Sequence, residues 1–203
     1  MNQSPGARDR LLDATCTLMR TRSYGSVGVA EICAVADVRK GSFYYFFESK
    51  QSLTLAAIDA HWGRQRAEWT ATLGADMPPL DRLRRLFEET AAGQRAASIA
   101  DGVVSGCTLA NLALELSTQD RVVQNRLREI FDEQIDLIHS VLGEAAAVGA
   151  IPAVMASRAI ARAVIAQMEG MILFAKLGND PAVLDDLWSQ TLYLLGMGEL
   201  PAG

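Results

Sequence analysis

The chain has 203 residues, half of them hydrophobic, which is enough to bury a sizeable core as one domain or two small ones. Its three cysteines, Cys16, Cys33 and Cys107, are too few and too far apart for a disulfide framework, and no stretch reaches about 18 uninterrupted apolar residues, so a disulfide-stapled domain and a membrane-spanning one are both excluded. The net charge of −5 hides an asymmetry: residues 1–66 hold nine Arg and Lys against six Asp and Glu, a balance of +3, and the remainder holds ten against eighteen, a balance of −8.

A positive N-terminal end on an acidic chain points to a polyanion as its partner there and to a different task elsewhere. No basic-then-apolar leader opens the sequence, and an odd cysteine count suits a reducing compartment, so the expected location is the cytoplasm.

Taken in order, Ser4-Pro5 predicts the start of a first helix with Leu11, Leu12, Thr15, Leu18 and Met19 on its apolar face, and Ser23-Tyr24-Gly25-Ser26 ends it. Val29, Ile32, Cys33, Val35 and Ala36 recur at the steps of a short second helix. Asp37 tolerates a left-handed backbone, so Ala36-Asp37-Val38 makes a sharp reversal into a third helix over roughly residues 39–46. The pair reads as a helix-turn-helix. Arg39, Lys40, Ser42 and Tyr45 fall on its outer side, Val38, Phe43 and Phe46 on its inner side, and one of Tyr44 and Tyr45 is expected to bury its ring.

Ser49 caps a longer helix running through Leu53, Ala57 and His61 to about Trp69, and Gly74 to Pro79 breaks the pattern. Leu80, Leu83, Leu86, Phe87 and Thr90 form the face of the next helix. Leu109, Leu112, Ala113 and Leu116 form another, separated from it by Asp101-Gly102 and Ser105-Gly106. A long amphipathic run extends from Val123 to Leu142, and Gly149 stops it. Pro152 suits the first turn of a further helix carrying Met155, Val164, Met168, Met171 and Phe174, and Gly178-Asn179 ends that one. Asp180-Pro181 caps and starts a last helix through Leu184, Trp188 and Leu195. The fold class is all-α, with about nine helices. The last two are apolar on more than one face, which predicts homodimerisation through residues roughly 153–196.

The residues from Ile32 to Leu53 carry a resemblance. Ile32, Ala36, Val38, Lys40-Gly41-Ser42-Phe43-Tyr44, Tyr45-Phe46, Ser49-Lys50 and Leu53 are similar in type and spacing to the DNA-binding signature of the TetR-type transcriptional regulators. The resemblance implies a three-helix DNA-binding domain over residues 1–50 and a larger helical domain over 51–203 that senses a small effector and dimerises, the whole acting as a repressor on a palindromic operator in double-stranded DNA. By position, Tyr44 and Lys50 match residues that hold phosphates, and Arg39, Lys40, Ser42 and Tyr45 match positions that approach bases or backbone, as their chemistry allows. Asp37 replaces the glycine common at the turn, and Arg39 a common serine or threonine cap.

For the effector, Trp62, Trp69, Phe87, Met168, Met171 and Phe174 are candidate pocket residues, most of them of types more often found in a plain core. Gly106-Cys107 places Cys107 in a first helical turn, where free amides and the helix dipole favour a thiolate. The segment resembles that of a subgroup of TetR-type regulators in which a Gly-Cys pair opens this helix and some members answer electrophiles or oxidants; Lys176, in an Ala-Lys pair, looks like the lysine associated with that cysteine. Inert packing is the other reading of Cys107, and the helix dipole alone favours a lysine at position 176. A thiol-dependent helical enzyme or a protein-binding adaptor built on Cys107 is the competing class. His61 and His139 stand apart from other ligand types, and there is no phosphate-binding glycine loop or nucleophile elbow, so no catalytic residue, metal or cofactor is expected.

Overall fold

The structure, a computed structural model, describes residues 6–198, so the expected helix start at Ser4-Pro5 lies outside the described residues. Among those residues all regular structure is helical. The α-helices are α1 (Ala7–Thr21), α2 (Val29–Val35), α3 (Lys40–Phe46), α4 (Lys50–Leu73), α5 (Pro79–Asp101), α6 (Thr108–Leu116), α7 (Arg121–Ala147), α8 (Arg158–Gly178) and α9 (Leu187–Leu194). Single 3-10 stretches cover Tyr24–Ser26, Ala153–Met155 and Pro181–Asp186.

Contacts group the chain into two units. Among the described residues, one runs from 6 to 65 and takes in Thr108–Arg128; the other comprises Arg66–Cys107 and 129–198. This grouping differs from a cut at residue 50, because α6 and the first turns of α7 pack with the N-terminal helices.

In the first unit, Leu11, Ile32, Phe43 and Leu53 are wholly buried, and Val27, Cys33, Ala36, Val38 and Phe47 close the same core. The expected apolar spacing produces this cluster, with one shift: Phe46 is only half-buried, and Phe47, at the C-cap of α3, takes the interior place. An extended residue just after a short helix turns its side chain back under it, which helical periodicity does not report. Truncating Phe43 to alanine would cost about 3–5 kcal/mol, the range for a fully buried ring. Ser49 starts α4 as expected. Its hydroxyl accepts from the Ser52 amide at 3.1 Å, and the Ser52 hydroxyl accepts from the Ser49 amide at 3.1 Å, a capping box with serine on both sides.

In the second unit, Leu83, Leu86, Phe87, Ile130, Ile138, Val164 and Met168 form the interior. Pro79 occupies the first turn of α5, and Gly102 ends it at φ 73°, the left-handed value that spares glycine a steric cost. Arg82 is 7% exposed: its Nη1 donates to the Leu73 carbonyl at 2.5 Å and its Nη2 pairs with Glu144, so a buried guanidinium ties α5 to the ends of α4 and α7. Asn179 ends α8 in a left-handed conformation, φ 50°. Its Oδ1 accepts from the Val104 amide at 2.8 Å and its Nδ2 donates to the Gly102 carbonyl at 3.3 Å, fastening the stretch before α6.

Three boundaries differ from the expectations. α4 continues past Trp69 to Leu73. Pro152 precedes a 3-10 turn, and α8 begins only at Arg158, where the Ser157 hydroxyl accepts from the Ile160 amide at 3.3 Å. Asp180 does cap the segment after it, accepting from the Ala182 amide at 2.9 Å, but that segment is 3-10 until Leu187. Local cap chemistry marks where a turn begins; it does not decide whether the turn propagates.

Candidate nucleic-acid interface

The geometry between α2 and α3 follows from Asp37, which sits at φ 49°. Its amide donates to the Ala34 carbonyl at 3.2 Å and the Val38 amide to the Cys33 carbonyl at 2.9 Å, the paired bonds of a Schellman ending, so aspartate fills the role more often given to glycine. Arg10 of α1 donates from Nε to the Ala36 carbonyl at 2.9 Å and from Nη2 to the Asp37 carbonyl at 3.2 Å. These carbonyls are the ones a terminating helix leaves unpaired. Sequence reading missed this clamp; a basic residue facing the end of a neighbouring short helix was its only signal.

α3 turns one face inward through Phe43 and the other outward. Arg39 stands at its N-cap and Lys40 in its first turn, both exposed; Ser42 is half-buried. Tyr44 and Tyr45 are 56% and 84% exposed, so neither ring is buried, contrary to expectation. Each phenol instead rests edge-on against a phenylalanine, Tyr44 on Phe43 and Tyr45 on Phe46, both at 5.0 Å between centroids. A Cβ built on Gly41 would meet nothing within 4 Å, which leaves the α3 N-terminal backbone open to an approaching surface.

Lys50 opens α4 but points inward. Its Nζ donates to the Tyr24 carbonyl at 2.5 Å and the Val27 carbonyl at 2.8 Å, and it lies 3.7 Å from the Tyr24 ring centroid. Burial pushes the ammonium below its ordinary pKa, with the nearby Glu115 carboxylate opposing. Two of its three N–H groups are thus engaged within the protein. Cys16 and His61 line a small apolar cavity in this unit; burial raises the thiol and lowers the imidazole, which fits packed rather than reactive groups.

In the second unit, Cys107 is half-buried and immediately precedes α6, so it stands one residue before the helix rather than inside its first turn. Its thiol hydrogen bonds to the carboxyl of Glu169 on α8. Burial pushes that carboxyl up from its ordinary value, and the thiol bond opposes the rise. Sequence reading missed Glu169. It lies seven residues before Lys176, two helical turns along the same face of α8, and that spacing was the available signal. Lys176 sits half-buried in the last turn.

Of the pocket candidates, Trp62 is buried in the first unit, and Trp69, Met168 and Met171 in the core of the second. Phe87 is also buried. Its ring faces Trp188 at 6.4 Å and, with Leu184 and Leu187, floors an open groove of about 330 Å³ edged by Arg84 and Arg95. Phe174 corrects the expectation: at 63% exposed it lies on the outer face of α8 and lines no interior space, because the helix is apolar on a side its own chain does not cover. Among the described residues no cluster of three or more His, Cys, Asp or Glu could hold a metal ion, and no helix is long and apolar enough to cross a membrane.

Comparison with known proteins agrees with this geometry at both ends of the chain. The family described as "Bacterial regulatory proteins, tetR family" matches residues 11–57, and that described as "Tetracyclin repressor-like, C-terminal domain" matches residues 79–191. The HTH-type transcriptional repressor DhaR of Mycobacterium sp. (strain GP1) is 30% identical over 182 residues, covering 88% of this chain and 86% of its own. The HTH-type transcriptional repressor NemR of Escherichia coli is 27% identical over 110 residues, 54% of this chain and 53% of NemR. Among solved structures, the regulatory protein TetR from Rhodobacter sphaeroides superposes with a TM-score of 0.83 at 28% identity, over 91% of this chain and 96% of that one. With both signatures in place around a helix-turn-helix of this form, the chain belongs to the TetR family of bacterial transcriptional regulators.

Proposed function

We propose that this regulator is a homodimeric repressor that inserts α3 into the major groove of a palindromic operator and leaves it when a small effector binds or Cys107 is modified. The observation that carries the reading is the split face of α3, with Arg39, Lys40, Ser42, Tyr44 and Tyr45 outward over a core closed by Phe43 and Phe47. In this role Arg39 and Lys40 address base edges, Ser42 and Tyr45 address bases or backbone, and Tyr44 holds a phosphate, joined by Lys50 through its remaining N–H. Residues 1–50 read DNA, and 51–203 sense and dimerise. The relatives named as repressors support the sign of the regulation.

Dimerisation has its support in α8 and α9, where Leu173, Phe174, Leu177 and Tyr193 are more than half exposed. A second copy covers them and sets two α3 helices about 34–36 Å apart, one turn of DNA. Release requires the effector to favour a dimer whose spacing no longer fits, with roughly two to three kcal/mol of coupling for useful induction. Gln134, 1% exposed, has a side-chain oxygen without a partner inside the protein, as suits a polar effector with a donor to offer. The second reading, modification of Cys107, is supported by the place of this thiol, half-buried and next to the amides that open α6. Either way the protein works on DNA in the cytoplasm.

A mobility-shift assay on the chain's own upstream DNA, across a salt series, tests the reading. A sequence-specific shift that weakens as salt rises is expected. Absence of any such shift would sink the repressor reading and leave the competing class, an enzyme or a protein-binding adaptor using Cys107.

A further inference from the structure

The 3-10 turn Tyr24–Ser26 joins α1 to the helix-turn-helix, and it is gripped from both sides by residues far away in sequence. Glu115, in the last turn of α6, accepts from the Tyr24 amide at 2.7 Å and the Gly25 amide at 3.0 Å. These are the opening amides of the turn, which the turn itself cannot satisfy. Lys50, the first residue of α4, donates to the carbonyls of Tyr24 and Val27. The two gripping groups carry opposite charge and attract each other, with the carboxylate holding the turn's donors and the ammonium its acceptors. Val27, buried just beyond the turn, leads through Gly28 directly into α2.

We propose that Glu115 is a positioning residue for DNA reading: through the Tyr24–Ser26 turn and Lys50 it sets where α2 and α3 stand on α4 and α6. It touches no DNA itself, and the inference rests on the DNA-binding reading of α3. Two further polar ties run along the same seam. Gln51 of α4 donates to the Asp120 carboxylate at 2.6 Å, and Arg126 of α7 donates to Asp59 of α4 at 2.6 Å. Both hold α4 to α7. Glu115 reaches past α4 to hydrogen bond the turn that carries the recognition module. A module freed at this turn samples orientations in which α3 does not seat in the groove, and the apparent operator affinity falls in proportion to the competent fraction.

The test compares Glu115→Ala and Glu115→Gln with the parent chain by fluorescence anisotropy. The probes are the operator duplex footprinted from the upstream region and an unrelated duplex of equal length, with the active fraction titrated for each protein. Glu115→Ala is expected to lose about tenfold in operator affinity while binding the unrelated duplex within about twofold of the parent. Glu115→Gln keeps an acceptor for the amides but loses the charge, so it is expected to lose about threefold. Operator affinities within about twofold of the parent for both variants would overturn the proposal. So would a parallel fall on both duplexes, since diffuse backbone attraction does not depend on how α3 is aimed. If Glu115→Ala fails to fold, the glutamine variant decides by the same ratio. A parent chain that shows no operator preference fails the DNA-reading premise itself, a result distinct from any change between variants.

Discussion

Gly41 sits in the first turn of α3, and its substitution by alanine separates the needs of the fold from the needs of the DNA. A Cβ there meets nothing within 4 Å in the protein, and Gly41 is absent from the positive-φ residues, so the methyl group brings neither clash nor backbone strain. Alanine loses less backbone entropy on folding, worth about 0.5–1 kcal/mol inside a helix and the lower end in a first turn. For a chain of this size that is a rise of about 1–2 °C in melting temperature. If α3 lies in the major groove, the same methyl projects from the end flanked by Arg39 and Lys40 and holds the backbone off. Displacing one good contact there costs about 1.4 kcal/mol or more, a tenfold loss of operator affinity. Thermal melting by circular dichroism and operator binding by anisotropy should therefore move in opposite directions. Operator affinity that stays level or improves while the melting temperature rises would refute the placement of this backbone against DNA; a fall in melting temperature would refute the account of Gly41 within the fold.

Other outcomes rest on the same geometry. Tyr44→Phe should weaken binding to all sequences alike, and Arg39→Ala should relax preference at one operator position by about 1–3 kcal/mol; selection from a randomised duplex library reads both, and equal effects across sequences from the two would overturn this division of roles. Glu169→Gln bears on the site at Cys107. Because burial raises the Glu169 carboxyl above its ordinary 4.5, the folded state favours the protonated form, so its contribution is intact below pH 4.5 and is lost as pH rises through the folded value. The glutamine variant should gain stability over the parent as pH climbs above 4.5 in denaturant titrations, and an advantage that is the same at all pH values would contradict the burial of this group. Cys107→Ser should leave operator affinity nearly intact while abolishing release by an electrophile; release that survives would assign the signal to a noncovalent effector. Phe174→Glu places a charge on the exposed apolar face of α8 and should shift sedimentation from dimer towards monomer without unfolding the chain, whereas an unchanged dimer would move the interface elsewhere.

The DNA-binding module was legible in the sequence because its signals are local. Helical spacing gave α1 and α2, Asp37 gave the left-handed turn, Ser49 gave the cap of α4, and Lys40 through Phe46 gave the character of α3. Each depends on residues within a turn or two, where backbone sterics and capping hydrogen bonds act without reference to the remaining chain. The tertiary structure alone decided which partners the side chains meet. Lys50 reads in sequence as an outward base, yet its ammonium lies between carbonyls 23 and 26 residues away. Glu115 is one more polar residue on a helix until the fold sets it against the amides of Tyr24 and Gly25, 91 and 90 residues back. Phe174 and Met171 share a helix and a hydrophobic character; one faces solvent and the other the core, since periodicity identifies apolar faces but not which of them the chain itself covers. Cys107 meets its partner in the same way, a carboxyl on α8 62 residues further along the chain that its thiol hydrogen bonds. Short-range sterics and capping act within a few residues and are written into the sequence in order; the long-range hydrogen bonds and burial that aim the module exist only once distant segments are packed together.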